Sequence, residues 1–287
     1  MAELYVVATP IGNLNDLSPR MAQALADCHL IAAEDTRVTM KLLNHLGLKK
    51  PLVSLNRHTE GQKAPGLVAR MVEEDLTVCL TCDAGTPGIS DPGVPLVAQA
   101  IEAGIRVTPI CGPSAFTAHL SACGFDTRSF GFYGFLPREK GDLAAKLEQI
   151  GRTGLNAAVF YESPHRVIGL VEAIGAAYPQ CRLSVACDIS KRYEVILTGP
   201  WARVLEQLQS NPNVEKGEYS LVVELPPASP RSEPAPLSAE ARILTAMLEG
   251  RDLDQAVQEA AEQGYPRNQL YRAKLKIRRF LEGMGGE

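Results

Sequence analysis

Two carboxylates stand in a stretch almost bare of side chain, "DAGTPGISDPG" (residues 83–93), where Asp83 and Asp91 bracket Gly85, Thr86 and Gly88. Glycine lets a ligand come close to the backbone at positions where a Cβ would block it. The same economy recurs in "ATPIGN" (8–13) and "CGPSAF" (111–116). One such loop is a tight turn. Three of them, each following an apolar β-type run, predict a pocket beyond the carboxyl ends of strands in one sheet.

The chain lacks the G-x-x-x-x-G-K-[ST] phosphate loop and the G-x-G-x-x-G dinucleotide turn, and these loops hold few cations. Acids and free carbonyls suit a cationic or zwitterionic ligand, and the sulfonium and ammonium of S-adenosylmethionine are such a pair. Other residues could serve the same pocket. "AEDTR" sets Glu34, Asp35 and Arg37 at a helix start, where carboxylates are also favoured by the helix dipole alone. "YESPHR" puts Tyr161, Glu162, His165 and Arg166 just past a strand, and "ISKRYE" contributes Lys191 and Glu194. Arg57, His58 and Glu60 in "SLNRHTEG" read as loop residues, suited equally to a site or to solvent. Cys79 and Cys82 do not form half of a metal site, since strand positions three apart point to opposite faces. His29, His45 and His119 read as structural residues of helical segments.

The elements that must hold these residues follow from periodicity. "LYVVAT" (4–9), "LTVCLTC" (76–82) and "IRVTPI" (105–110) are strand-like, with helical patterns between them. Ser18 followed by Pro19 marks one helix start, and Thr36 reads as the cap of another. This alternation predicts an α/β domain with a parallel sheet over residues 1–124. Strand-like runs return at 157–163, 182–188, 193–199 and 218–225, giving a second α/β domain over 125–225. "PPASPRSEPAP" (226–236), five prolines in eleven residues, reads as a linker. Residues 237–287 read as a small all-α extension.

The 287 residues carry a net charge of −4, which offers nucleic acid no overall attraction. Charge is uneven, however: from Tyr265 to the end, Arg267, Arg272, Lys274, Lys276, Arg278 and Arg279 face only two acids. Arg272, Lys276 and Arg279 fall on one helical face, with Leu270, Ile277 and Leu281 expected on the apolar side. The bland reading is a solvated helix and the sharp one a phosphate-binding surface. Seven cysteines, an odd number scattered through apolar runs, suit a reducing cytoplasm. No apolar run reaches the length of a membrane span.

Together, "VVATPIGNLNDLSPRM", "AEDTR", "DAGTPGISDPG", "GPSA", "VFYESPHR" and "KGEYSLVVE" resemble the tetrapyrrole methylase superfamily. The resemblance runs in order from Leu4 to about Leu225, and it is strongest to members that methylate a cytidine ribose 2′-hydroxyl in small-subunit ribosomal RNA. It implies two α/β domains with an S-adenosyl-L-methionine cleft between them, a homodimer, and a helix-turn-helix-like extension. By motif, Ile11, Asp83, Gly85, Thr86, Ser114 and Ala115 would line the methionine and ribose side, and Tyr161, Glu162 and Tyr219 the adenine side. No metal is called for. A ribose hydroxyl is a poor acid, so a general base or nearby cation should assist, with Glu34, Arg37 and Lys191 as candidates. Two alternatives remain at this point: carbon methylation of a tetrapyrrole precursor, and a non-catalytic module that binds S-adenosylmethionine or RNA.

Overall fold

Apolar runs buried on both faces build the first sheet of the computed structural model, which describes residues 1–226 and 237–284. Its elements are β1 (Glu3–Val7), α1 (Pro19–Asp27), β2 (Leu30–Ala33), α2 (Thr36–His45), β3 (Leu52–Ser54), α3 (Glu60–Glu73), β4 (Thr77–Thr81), α4 (Val94–Glu102) and β5 (Arg106–Ile110). The strands are all parallel in the order β3-β2-β4-β1-β5. Val7, Ile31 and Cys79 pack against Met21, Leu25 and Leu43 on one face. Leu4, Ala32 and Leu80 pack against Leu67, Met71 and Leu96 on the other. Ser18 caps α1 by accepting the Met21 N–H at 3.2 Å. The cap of α2 is Asp35 rather than Thr36, because its carboxylate accepts the Arg37 N–H at 2.8 Å.

The chain then crosses to a second sheet. Its elements are α5 (Ala115–Ala122), β6 (Phe130–Phe135), α6 (Lys140–Gly151), β7 (Ala157–Glu162), α7 (Val167–Ala177), β8 (Arg182–Cys187), β9 (Val195–Pro200), α8 (Trp201–Gln209) and β10 (Tyr219–Glu224). The order is β6-β7-β10-β8-β9, with β6 and β7 parallel and the other pairs antiparallel. One face packs Phe160, Leu183 and Leu221 against Leu147, Leu170 and Val204. α5 covers the other face, where Leu120 and Cys123 meet Ala157, Val159 and Val222. Both sheets belong to one compact unit, Met1–Ala228.

His119 of α5 is fully buried. Its ring nitrogens lie 3.0 Å from Ser220 Oγ and 2.9 Å from Ser184 Oγ, and burial pushes its pKa down to about 4. A neutral imidazole therefore pins α5 to β8 and β10. His29, expected within a helix, sits in the bend before β2 and accepts the Thr77 N–H.

The expected linker falls, apart from Pro226, outside the described residues, as do residues 285–287. A separate helical unit contains α9 (Ala239–Leu248), α10 (Leu253–Glu262) and α11 (Arg267–Met284). Its core gathers Ile243, Ala246, Ala260, Leu270, Ala273 and Ile277. Leu281 does not join that core: it is exposed, one turn beyond the buried Ile277. No helix among the described residues is long and apolar enough to cross a membrane.

Candidate functional site

The carboxyl ends of β2, β4, β1 and β5, four neighbours in the first sheet, bring their loops to one edge. β7 and β8 end, and β10 begins, at the facing edge of the second sheet, where Tyr219 pairs in register with both Glu162 and Cys187. Between these edges lies a cleft of about 400 Å³. Ile11, Glu34, Asp83, Gly85, Thr86, Asp91, Ser114 and Ala115 line it from the first side. Phe135, Tyr161, Glu162, Ser163, Glu218, Tyr219 and Ser220 line it from the second.

The Gly/Pro loop is fixed at both ends. At its start, Thr9 and Gly85 exchange two backbone hydrogen bonds, of 2.7 and 3.0 Å, and Gly85 adopts φ +87° to make them. At its end, Glu60 accepts the Gly93 N–H at 2.7 Å, and Gly93 presses so close to Leu80 that a Cβ would lie 2.7 Å from it. Arg57 donates to the Ser90 carbonyl at 2.8 Å, next to the left-handed Ser90, φ 68°. Arg57 and Glu60 are thus supports of the loop. Strained backbone of this kind persists only where its surroundings hold it.

The lining holds five carboxylates and, among the described residues, no Lys, Arg or His. Two of the five are paired. Glu162 is completely buried; its Oε1 accepts the Ser163 N–H, and Oε2 lies 3.1 Å from the Arg166 guanidinium without a hydrogen bond. Glu218 meets the Lys191 ammonium at 3.0 Å. Among the described residues, Glu34, Asp83 and Asp91 have no such cation. Glu34 and Asp83 accept each other's local backbone: Glu34 takes the Asp83 N–H at 3.3 Å, and Asp83 the Asp35 N–H at 3.0 Å. Burial raises the pKa of all three, and the Glu34 charge helps push Asp91 up to about 6. Clustered unpaired carboxylates cost free energy that a bound cation would recover.

All nine residues expected to hold cofactor line this one cleft, as does Glu34. Arg37 and Lys191 do not. The Arg37 side chain is 86% exposed and folds back on Asp35 at 2.5 Å, close enough to Asp83 to feel its charge. Lys191 bridges Asp188 (2.8 Å) and Glu218 while its stem fills the space beside Gly12, where a Cβ would collide with it. Sequence reasoning did not name Ser163, Glu218 and Ser220, which also join the lining although they fall within the quoted runs "VFYESPHR" and "KGEYSLVVE". Phe116 N–H donates to Tyr161 OH at 3.2 Å, tying the Ser114–Ala115 turn to the second sheet.

A family model described as tetrapyrrole (corrin/porphyrin) methylases matches residues 3–205. The chain is 37% identical to the ribosomal RNA small subunit methyltransferase I of Xylella fastidiosa, covering 93% of this chain and 97% of that protein. It is 41% identical to the protein of the same name from Haemophilus influenzae, covering 95% and 96%. Among solved structures, the uroporphyrin-III C-methyltransferase of Thermus thermophilus, complexed with S-adenosylhomocysteine, superposes with a TM-score of 0.53. That match covers 77% of this chain and 96% of the other at 15% identity, so it is a likeness of fold.

Proposed function

The chain belongs to the tetrapyrrole methylase family, and from that premise we propose an S-adenosylmethionine-dependent methyltransferase acting on the 2′-hydroxyl of a cytidine in small-subunit ribosomal RNA. The observation that carries the cofactor is the lining: three unpaired carboxylates and a bare glycine backbone, with no cation among the described residues. A sulfonium and an ammonium fit such a lining, and a phosphate would be repelled by it. Ile11, Asp83, Gly85, Thr86, Ser114 and Ala115 would hold the methionine and ribose part, and Tyr161, Glu162 and Tyr219 the adenine. The bound cofactor supplies an already activated methyl group. The protein's own task is to orient a hydroxyl toward it, exclude water and accept a proton. Glu34 is the candidate base, because it lines the cleft with a pKa raised by burial. Arg37 and Lys191, both held in ion pairs, are assigned to positioning their loops.

RNA is favoured over a tetrapyrrole by the names of the close relatives and by the cationic C-terminal helix. The expected result is methyl transfer from labelled cofactor to purified small ribosomal subunits and none to tetrapyrrole precursors, from a cytoplasmic enzyme that sediments as a homodimer. Label appearing in the tetrapyrrole alone would reverse the choice.

Asp91 gives the cofactor reading a pH signature. In the free protein its carboxyl is protonated below about pH 6. A cation bound beside it favours the carboxylate, so binding below that pH must expel a proton. Affinity is therefore expected to be level above pH 6 and to fall by up to about tenfold per pH unit below it. Asp91→Asn should flatten the slope, leaving only the contribution of Glu34 and Asp83 at lower pH. Calorimetry in buffers of different ionisation enthalpy reads the released proton directly, and a flat profile from pH 5 to 7 would remove Asp91 from the site.

A further inference from the structure

α11 separates its cations into two kinds. Lys274 pairs with Asp254, Lys276 pairs with Glu240 at 2.9 Å, and Arg278 lies near enough to Asp254 to lower its pKa. Arg267, Arg272, Arg278 and Arg279 form no ion pair with any described side chain, and all four are exposed. At about 3.6 residues per turn, Leu270, Ala273 and Ile277 share the buried side of the helix, and these four arginines fall on the outward arc. Tyr271 (66% exposed) and Leu275 (40% exposed) lie between them on the same arc.

A solvated face has no need of an exposed tyrosine and leucine among its charges. It also has no reason to neutralise every lysine while leaving arginines open. The guanidinium fork matches phosphate oxygens in pairs, and an exposed aromatic face accepts a stacked base. We propose that the arc formed by Arg267, Tyr271, Arg272, Leu275 and Arg279 is an RNA-docking surface: the arginines hold the phosphates of an unpaired segment, and Tyr271 stacks one of its bases. The proposal rests on the RNA reading above. It departs from the expectation drawn from the sequence, in which Lys276 shared the phosphate face, since Glu240 already occupies that ammonium.

Phosphate contacts add affinity and salt dependence without choosing sequence. The test uses the full chain and a fluorescent single-stranded fragment of small-subunit ribosomal RNA, titrated by anisotropy across a salt series. Changing Arg267, Arg272 and Arg279 together to Gln should lower the log–log salt slope by about 2, at roughly 0.7 per lost single-strand contact. Tyr271→Ala should weaken binding about tenfold with the slope preserved. Lys274→Gln with Lys276→Gln, which removes two charges already neutralised, is the internal control and should change either quantity little. Calorimetric cofactor affinity, together with circular dichroism of the helical signal, guards against misfolding. RNA affinity and slope unchanged in the triple arginine variant would overturn the proposal and return the arc to a protein partner. An equal loss from the lysine pair would overturn it too, as it would show bulk charge alone. Should the arginine variant lose RNA affinity while the wild-type protein transfers no methyl group to RNA, the docking surface would stand and the substrate reading would fall.

Discussion

Replacing Glu34 by Gln is expected to lower kcat for RNA methylation by about 10²- to 10⁴-fold, the usual contribution of a positioned general base. Glutamine keeps the shape and can still accept the Asp83 N–H that Glu34 now accepts at 3.3 Å, so the loop should not move. It cannot take a proton from a ribose hydroxyl. Two other unpaired carboxylates, Asp83 and Asp91, remain in the cleft, and cofactor affinity should change by less than about tenfold, since one of three unpaired like charges is removed. The decisive comparison is therefore kcat against cofactor Kd in the same variant. A turnover within about threefold of the wild type would reassign the proton to another acceptor. Because burial raises the Glu34 pKa, activity limited by this group should rise with pH as the carboxyl ionises.

Thr86→Trp should weaken cofactor binding by at least about 100-fold, close to 3 kcal/mol. Thr86 is half-buried in the Gly/Pro loop, its hydroxyl 3.5 Å from the Pro113 carbonyl, and it lines the cleft from the same side as Gly85. An indole there would occupy the volume that a ligand must fill. The side chain belongs to none of the packed clusters on either sheet, so the fold should survive. Thr86→Ser, which empties no space that matters, should bind normally. Unchanged calorimetric affinity in a folded tryptophan variant would show that the cofactor does not sit against this loop.

The loops that carry the site were legible because their composition is extreme. Gly85, Gly88 and Gly93, all at positive φ, are the reason that "DAGTPGISDPG" stands out. Strands β2 and β3 were not legible. "LIAA" is four residues buried on both faces, which leaves no alternation to detect, and β3 is only three residues long. β6 was missed for a related reason: "FGFYGF" lies at a sheet edge with a register shift, so its periodicity is broken. The roles of Arg57 and Glu60 could not be read either. They act on Ser90 and Gly93, more than 30 residues away, and sequence spacing carries no trace of that contact. Charge patterning located α11 as cationic, but which of its cations were already engaged depended on acids in α9 and α10.

Those two distant supports have a consequence for how binding is divided between heat and disorder. Arg57 and Glu60 reach the Gly/Pro loop from the start of α3, while Thr9 stitches its other end to β1. Eleven residues rich in glycine would otherwise sample many conformations, each of which a ligand would have to restrict on arrival. Here that restriction is imposed once, when the chain folds, and the cavity is already in shape before anything enters it. Association with such a preorganised wall proceeds with little loss of backbone entropy, so a modest number of contacts suffices for affinity, and product can leave without dismantling the wall.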